Sequence, residues 1–168
     1  MAVEKKIVSE HPESIEVILR NGQSLRMRPI RPDDKKRLEE FFYSLTPRTR
    51  YLRFQYAKEH ISADELKYFT ELAVPARYAY VATIGEAEKE RIVAVARWDM
   101  LPDKKSAEVA FTVADNIQLR GIGTLLLEEL AKAALTYNIT VFSAQVLEEN
   151  THMMEVFDES GFKLRKVF

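Results

Sequence analysis

Between the apolar run Val109–Val113 and the helical pattern that opens at Leu125 lies Gln118-Leu119-Arg120-Gly121-Ile122-Gly123-Thr124. An apolar strand that feeds a helix through a glycine-punctuated turn constrains the fold more than any other feature of this chain. It implies a crossover from one side of a sheet, and it implies an anion site. The first N–H groups of a helix have no partner inside the helix, and the helix dipole favours negative charge there. Gly121 and Gly123 carry no Cβ, so a phosphate can approach the backbone closely. A bound diphosphate is therefore expected on residues 119–124. A dinucleotide fingerprint, G-x-G-x-x-G, would need a third glycine where Leu126 stands, and an ATPase-type phosphate loop would need a Lys after Gly123. Neither is present.

The rest of the chain reads as strands and helices in an α/β arrangement. Ser14–Leu19 and Gln23–Arg28 alternate apolar and polar residues around Asn21-Gly22, a strong hairpin signal. Helices are expected over Asp33–Leu45, from Thr46-Pro47 onward, and from the capping box Ser62–Glu65 to about Ala73. Strands are expected at Arg77–Ile84, Arg91–Met100 and Lys105–Ala114, the last near-continuously apolar and so buried on both faces. A helix Leu119–Tyr137, a strand Ile139–Val146, a helix Glu149–Ser160 and a strand Phe162–Val167 follow. No repeat or linker divides the chain. We expect one domain over 1–168, with an N-terminal hairpin at about 14–28 and a cofactor-binding core at about 77–168.

Composition excludes several classes. The 168 residues carry 46% hydrophobic and 30% charged residues, ordinary for a globular chain. There is no Cys, so no disulfide, thiolate nucleophile or Cys metal site is possible. His11, His60 and His152 lack metal-ligand spacing, and no metal is expected. No apolar window approaches a membrane span, and no signal peptide is visible at the N-terminus, so a cytoplasmic protein without a membrane partner is expected. A net charge of −1 gives no global pull toward nucleic acid. Residues 20–53 are locally basic, with ten Lys/Arg against four acids. That segment reads as solvated helix faces with Asp33, Asp34, Glu39 and Glu40 as partners, or as a docking surface.

Among titratable residues Glu108 stands out. It interrupts an apolar strand, where an unpaired carboxylate is costly. It is a candidate base, or else a partner for Arg97 or Lys105, or a solvated strand end. Tyr51, Phe54, Tyr56, Tyr68 and Phe69 are candidates for an acceptor groove or for the core, and Trp98 for a core or edge anchor.

The motif Q-x-x-G-x-G at Gln118–Gly123 resembles the pyrophosphate loop of the GNAT acyl-CoA-dependent N-acetyltransferases. The stretch from Asn150 through Phe157 to Gly161-Phe162 is similar to the helix and strand start that follow in that family. Leu25–Asp34, Phe41–Thr46 and Tyr51–Phe54 resemble the opening of the Pat-type protein lysine acetyltransferases, and Ala107–Asp115 extends the match. Roughly residues 24–165 are covered. The resemblance implies a GNAT-like mixed, mostly antiparallel sheet with flanking helices, in which the cofactor wedges between two splayed strands. It implies acetyl-CoA as cosubstrate, held by Gln118, Leu119, Arg120, Gly121, Ile122, Gly123 and Thr124. Asn150 would touch its pantetheine arm or 3′-end. Backbone N–H groups around Phe111, Thr112 and Val113 would polarise the thioester carbonyl. Glu108 would be the general base, and the acceptor a lysine on another protein, by family precedent an acyl-CoA synthetase. One departure is plain: many relatives carry a Tyr seven residues after the Asn, to protonate the leaving thiolate, and Phe157 stands there. Tyr137 or another hydroxyl would have to serve, or none. Two rival readings fit the same residues, acetylation of a small amine and an acyl-CoA-binding module that has lost catalysis.

Overall fold

Asn21 and Gly22 turn the chain between two antiparallel strands. The computed structural model describes residues 4–7, 14–19, 21–117, 121–163 and 165–166. In it β2 (Ile15–Ile18) pairs with β3 (Ser24–Pro29), Ile18 lying opposite Ser24. Gly22 N–H donates to Leu19 O at 2.8 Å, and Leu19 N–H donates to Gln23 O at 2.9 Å. Gly22 takes a φ of +82°, whereas Asn21 contributes its Oδ1, which accepts Gln23 N–H at 3.0 Å. A further strand, β1 (Glu4–Ile7), pairs outside β2 and was not anticipated.

The sheet continues through β4 (Arg77–Ile84), β5 (Arg91–Met100), β6 (Ser106–Val113) and β7 (Val141–Ser143). Among the described residues seven strands lie in sequence order, antiparallel except for the parallel pair β6–β7. Such a parallel step needs a crossover, here α4 (Ile122–Thr136). The other helices are α1 (Lys35–Ser44), α2 (Pro47–Phe54), α3 (Ala63–Thr70) and α5 (Thr151–Glu159), and a 3-10 turn at Pro32–Asp34 leads into α1. This is the mostly antiparallel GNAT-like architecture that the sequence implied.

Cross-strand register assigns the two faces, because directly opposed residues share a side. Arg97 lies opposite Ala110, Val95 opposite Thr112 and Asp99 opposite Glu108. These look toward α1–α3, whose Leu38, Phe42, Phe54 and Phe69 pack over Val95 and Thr112. Ala96, Trp98, Val109 and Phe111 look the other way, toward α4, which buries Ile122, Leu126, Leu127, Leu130 and Ala134. Trp98 is fully buried there, stacks on Tyr78 at 4.7 Å and donates Nε1–H to Pro75 O at 2.9 Å. The N-terminus of α3 is closed by the expected capping box: Ser62 Oγ accepts Glu65 N–H, and Glu65 accepts Ser62 N–H. Such caps contribute about 1 kcal/mol.

Three expectations need correction. β6 is not buried on both faces: Ala107, Val109 and Phe111 are buried while Glu108 is exposed, because its outer face lies at the cleft rim. β7 has three residues rather than the span Ile139–Val146. The reason is functional geometry. Pairing with β6 ends at Glu108–Ser143, after which the two strands separate. No strand forms among the described residues after Gly161, where one was expected, and Phe162 is 43% exposed.

Candidate active site

A cleft of about 660 Å³ opens where β6 and β7 part. Phe111, Thr112 and Val113 of β6 form one wall, Leu52 and Arg53 of α2 a second, and Asn150, Met153 and Val156 at α5 a third. Past Glu108, β6 has no ladder partner on the β7 side among the described residues. Backbone polar groups on an unpaired strand edge require other partners. An extended ligand with amide groups could supply them, as a pantetheine arm would. Asp115 fixes the α2 wall. Its carboxylate accepts Thr46 N–H at 2.9 Å, Thr46 Oγ1 at 3.1 Å and the Thr49 hydroxyl. Burial pushes the Asp115 carboxyl up, but these bonds prevail and hold it below the usual carboxylate range.

The start of α4 forms the end of the cleft. Its N-cap is Gly121, in the left-handed region at φ 101°, with no side-chain cap. By contrast α2, α3 and α5 are capped by Thr46, Ser62 and Asn150. An uncapped N-terminus retains donors for an anion. Thr124 Oγ1, on the same first turn, is buried without a hydrogen-bond partner among the described residues. These features fit a phosphate group. Gln118, Leu119 and Arg120 lie outside the described residues. Gly123 has a different reason for being glycine than the one read from sequence. A Cβ there would sit 2.9 Å from Val156 Cγ2, so it permits close packing of α4 on α5. Asn150 likewise has a structural task, since its Oδ1 accepts Met153 N–H at 3.2 Å. It still lines the cleft, as does the exposed His152. Phe157 packs edge-on against Phe111 at 5.5 Å. Tyr137 ends α4 beside Trp98, away from the cleft lining, and does not replace the missing hydroxyl.

The acceptor side carries the charge. Glu108 is exposed and stands between Asp99 on β5 and Ser143 on β7. Neither Arg97 nor Lys105 pairs with it within 4 Å among the described residues, so the anticipated ion pairs are absent. Tyr68 OH donates to Asp99 Oδ1 at 2.7 Å, and burial together with that carboxylate raises the phenol above its ordinary value. Burial lowers Arg53, while the fields of Asp99 and Glu108 favour its charge. Arg97 is pushed down to about 9, first by burial and next by Arg53. Sequence reasoning missed Asp99 and Arg53, and it weighed Arg97 only as an ion-pair partner of Glu108 and Tyr68 only as a groove or core residue. Only the β5–β6 register and the crossing of α2 and α3 bring them to Glu108. Of the aromatic candidates, Phe54 and Phe69 pack against the core, while Tyr51, Tyr56 and Tyr68 are exposed.

The basic segment is largely consumed internally. Arg28 binds Asp34 and Glu90, and Arg37 reaches the same two acids. Arg50 donates to the carbonyls of Leu45, Lys58 and Glu59. Arg48 remains exposed.

Residues 37–162 match the model of the acetyltransferase (GNAT) family. The chain is 32% identical over 148 residues to the acetyltransferase Pat of Mycolicibacterium smegmatis, covering 88% of this chain and 44% of that protein. It is 28% identical over 116 residues to an acetyltransferase of Pseudomonas aeruginosa, covering 69% of this chain and 62% of the other. The chain thus spans less than two thirds of the length of either relative. The GNAT domain of S. lividans PAT superposes with a TM-score of 0.82 at 34% identity, covering 92% of this chain and 90% of that one. A matched family model over most of the chain, and a sheet that splits at the cleft as described, give one conclusion: the chain belongs to the acetyltransferase (GNAT) family.

Proposed function

We propose that the chain is an acetyl-CoA-dependent N-acetyltransferase that modifies a lysine ε-amine on another cytoplasmic protein. The observation that carries this reading is the meeting of the split β6–β7 pair with an exposed Glu108 at the point of the split. A lysine is mostly protonated near neutral pH. Glu108 takes its proton, directly or through one water. The free amine forms a bond to the thioester carbonyl, the C–S bond breaks, and CoA leaves as thiolate. Backbone N–H groups of Phe111–Val113 are the donors for the oxyanion. Residues 118–124 take the pyrophosphate, and Asn150 borders the pantetheine arm. A CoA thiol is acidic enough to leave without a dedicated acid, which accommodates Phe157.

Exposure of Glu108 and Tyr68 favours an open approach and hence a protein acceptor. The Pat relatives point in the same direction and make an acyl-CoA synthetase a candidate partner. One observation favours the rival acceptor: Asp99 beside Glu108 puts two carboxylates where a small cationic amine would bind. The test is incubation with labelled acetyl-CoA and either folded proteins or free lysine and spermidine, read by mass spectrometry. Labelled protein lysines with poor small-amine turnover are expected. Efficient labelling of a free amine alone would replace the protein reading with the rival.

A further inference from the structure

Two guanidinium groups at the acceptor end of the cleft have no task in the proposed transfer. Arg53 lines both the cleft and an adjoining pocket of about 40 Å³. Thr112 lines both as well, so the two spaces meet at β6. Arg97 closes the small pocket, and Leu38, Phe42, Phe54, Phe69 and Val95 supply apolar walls. Arg97 donates Nη2–H to Phe69 O at 2.7 Å and lies 4.3 Å over the Phe69 ring. Arg53 lies 4.8 Å over the Phe54 ring and makes no hydrogen bond or ion pair within 4 Å among the described residues. The carboxylates whose fields reach it are Asp99, which accepts from Tyr68 OH, and Glu108.

Two neighbouring cations against apolar walls are costly unless an anion joins them. Burial first, and the charge of Arg53 next, make the Arg97 guanidinium easier to deprotonate than an ordinary arginine. A guanidinium meets a carboxylate through paired, directional hydrogen bonds. A pocket of about 40 Å³ holds roughly three water-sized atoms, the size of one carboxylate.

We propose that the Arg53–Arg97 pocket receives the carboxylate end of a short dicarboxylic acyl group, of the malonyl or succinyl class, carried on CoA. This rests on the transferase reading above. The amine nitrogen bonds to the thioester carbonyl, the C–S bond breaks, CoA leaves as thiolate and Glu108 takes the amine proton. The distal carboxylate stays ionised on Arg53 and Arg97 throughout.

The test is donor binding by calorimetry on the full chain, which needs no acceptor. CoA, butyryl-CoA, malonyl-CoA and succinyl-CoA are compared. Malonyl- or succinyl-CoA is expected to bind at least about tenfold more tightly than butyryl-CoA, a donor of similar length without the charge. Arg53→Met should collapse that ratio, and Arg53→Lys should keep part of it. If the Met variant fails to fold, the wild-type ratio and the Lys variant still decide. Equal or weaker binding of both dicarboxylic donors in the wild type overturns the proposal and leaves the transferase reading standing. Failure of CoA itself to bind overturns both.

Discussion

Two groups of arginines lie on the same face of the sheet and meet opposite fates. Arg28 sits in the row Arg28–Val81–Val95–Thr112, read across the strands. It is 3% exposed and fully answered. Its Nη1 and Nη2 reach the two Asp34 oxygens at 2.7 and 2.8 Å, and its Nε and Nη2 reach Glu90 Oε1 at 3.1 and 3.0 Å. Thr83 Oγ1 donates to the same Glu90 oxygen at 2.9 Å. Further along the same face Arg97 meets Arg53 of α2, with no ion pair from either to a carboxylate among the described residues and an open cleft alongside. The number of carboxylates brought to a guanidinium decides whether it fastens the fold or awaits a ligand. Changes in the first group should therefore lower stability, and changes in the second should alter binding and turnover.

The largest effect is expected in the open group. Glu108→Gln preserves shape and removes the carboxylate proposed as the base, so turnover should fall by roughly 10²–10⁴. Thermal stability should hold, because Glu108 is exposed and makes no ion pair within 4 Å among the described residues. Stopped-assay kinetics across pH would measure it. Wild-type turnover at every pH would move Glu108 out of the chemistry.

In the closed group, Arg28→Met removes the most buried cation from Asp34 and Glu90 and leaves them only the longer contacts of Arg37 and Arg31. Breaking a buried pair from one side costs about 3–5 kcal/mol. That corresponds to a Tm drop on the order of 10 °C for a chain of this size. Calorimetry or circular dichroism would show it, and an unchanged Tm would erase the distinction between the groups.

The closed group also predicts the acid limb of stability. Burial alone would raise the Asp34 and Glu90 carboxyls. For Asp34 the Arg28 side chain and the Arg31 N–H overcome this, and for Glu90 Arg28 and Thr83 do, so both lie below their ordinary range. A lowered folded-state value contributes stability that is present above the unfolded carboxylate value, near pH 4, and lost as pH falls through the lower folded value. Stability should thus decline from about pH 4 downward, and Arg28→Met should flatten that decline. Denaturation midpoints at several acidic pH values would test the slope.

What could be read from the chain follows physical range. The Asn21-Gly22 turn, the Ser62–Glu65 box and the α4 stripe are made by residues close in sequence, and all were legible. The Arg28–Glu90 contact joins residues 62 apart and the Asp115–Thr46 contact residues 69 apart, and no local pattern announces either. Asp34 was read as a solvated partner and is instead fully buried. Glu108 was legible as an interruption of an apolar strand. Its neighbours Asp99 and Arg53 were not, since register and helix crossing place them. The truncation of β7 escaped notice for a related reason, because Ala144–Val146 keep strand-like residues while the cleft takes away their pairing partner.

The smallest effect concerns Arg48, the exposed basic side chain of α2. The segment 20–53 suggested a docking surface, with Arg48 and Arg50 as its probes. Arg50 cannot serve, because it holds the carbonyls of Leu45, Lys58 and Glu59 and lies 5.2 Å over the Phe42 ring, so its reversal would disturb the fold. Arg48 is exposed on α2, the helix that forms a cleft wall. If acidic protein surface approaches there, Arg48→Glu should lower kcat/KM for a protein acceptor by roughly two- to fivefold at low salt, the scale of a solvent-exposed charge pair. The deficit should shrink as salt rises and screens the pair. Affinity for CoA should not change, since Arg48 is absent from the cleft lining. An unaltered kcat/KM at low salt would remove α2 from the docking surface, leaving the exposed Tyr68 and Glu108 side as the approach for the acceptor.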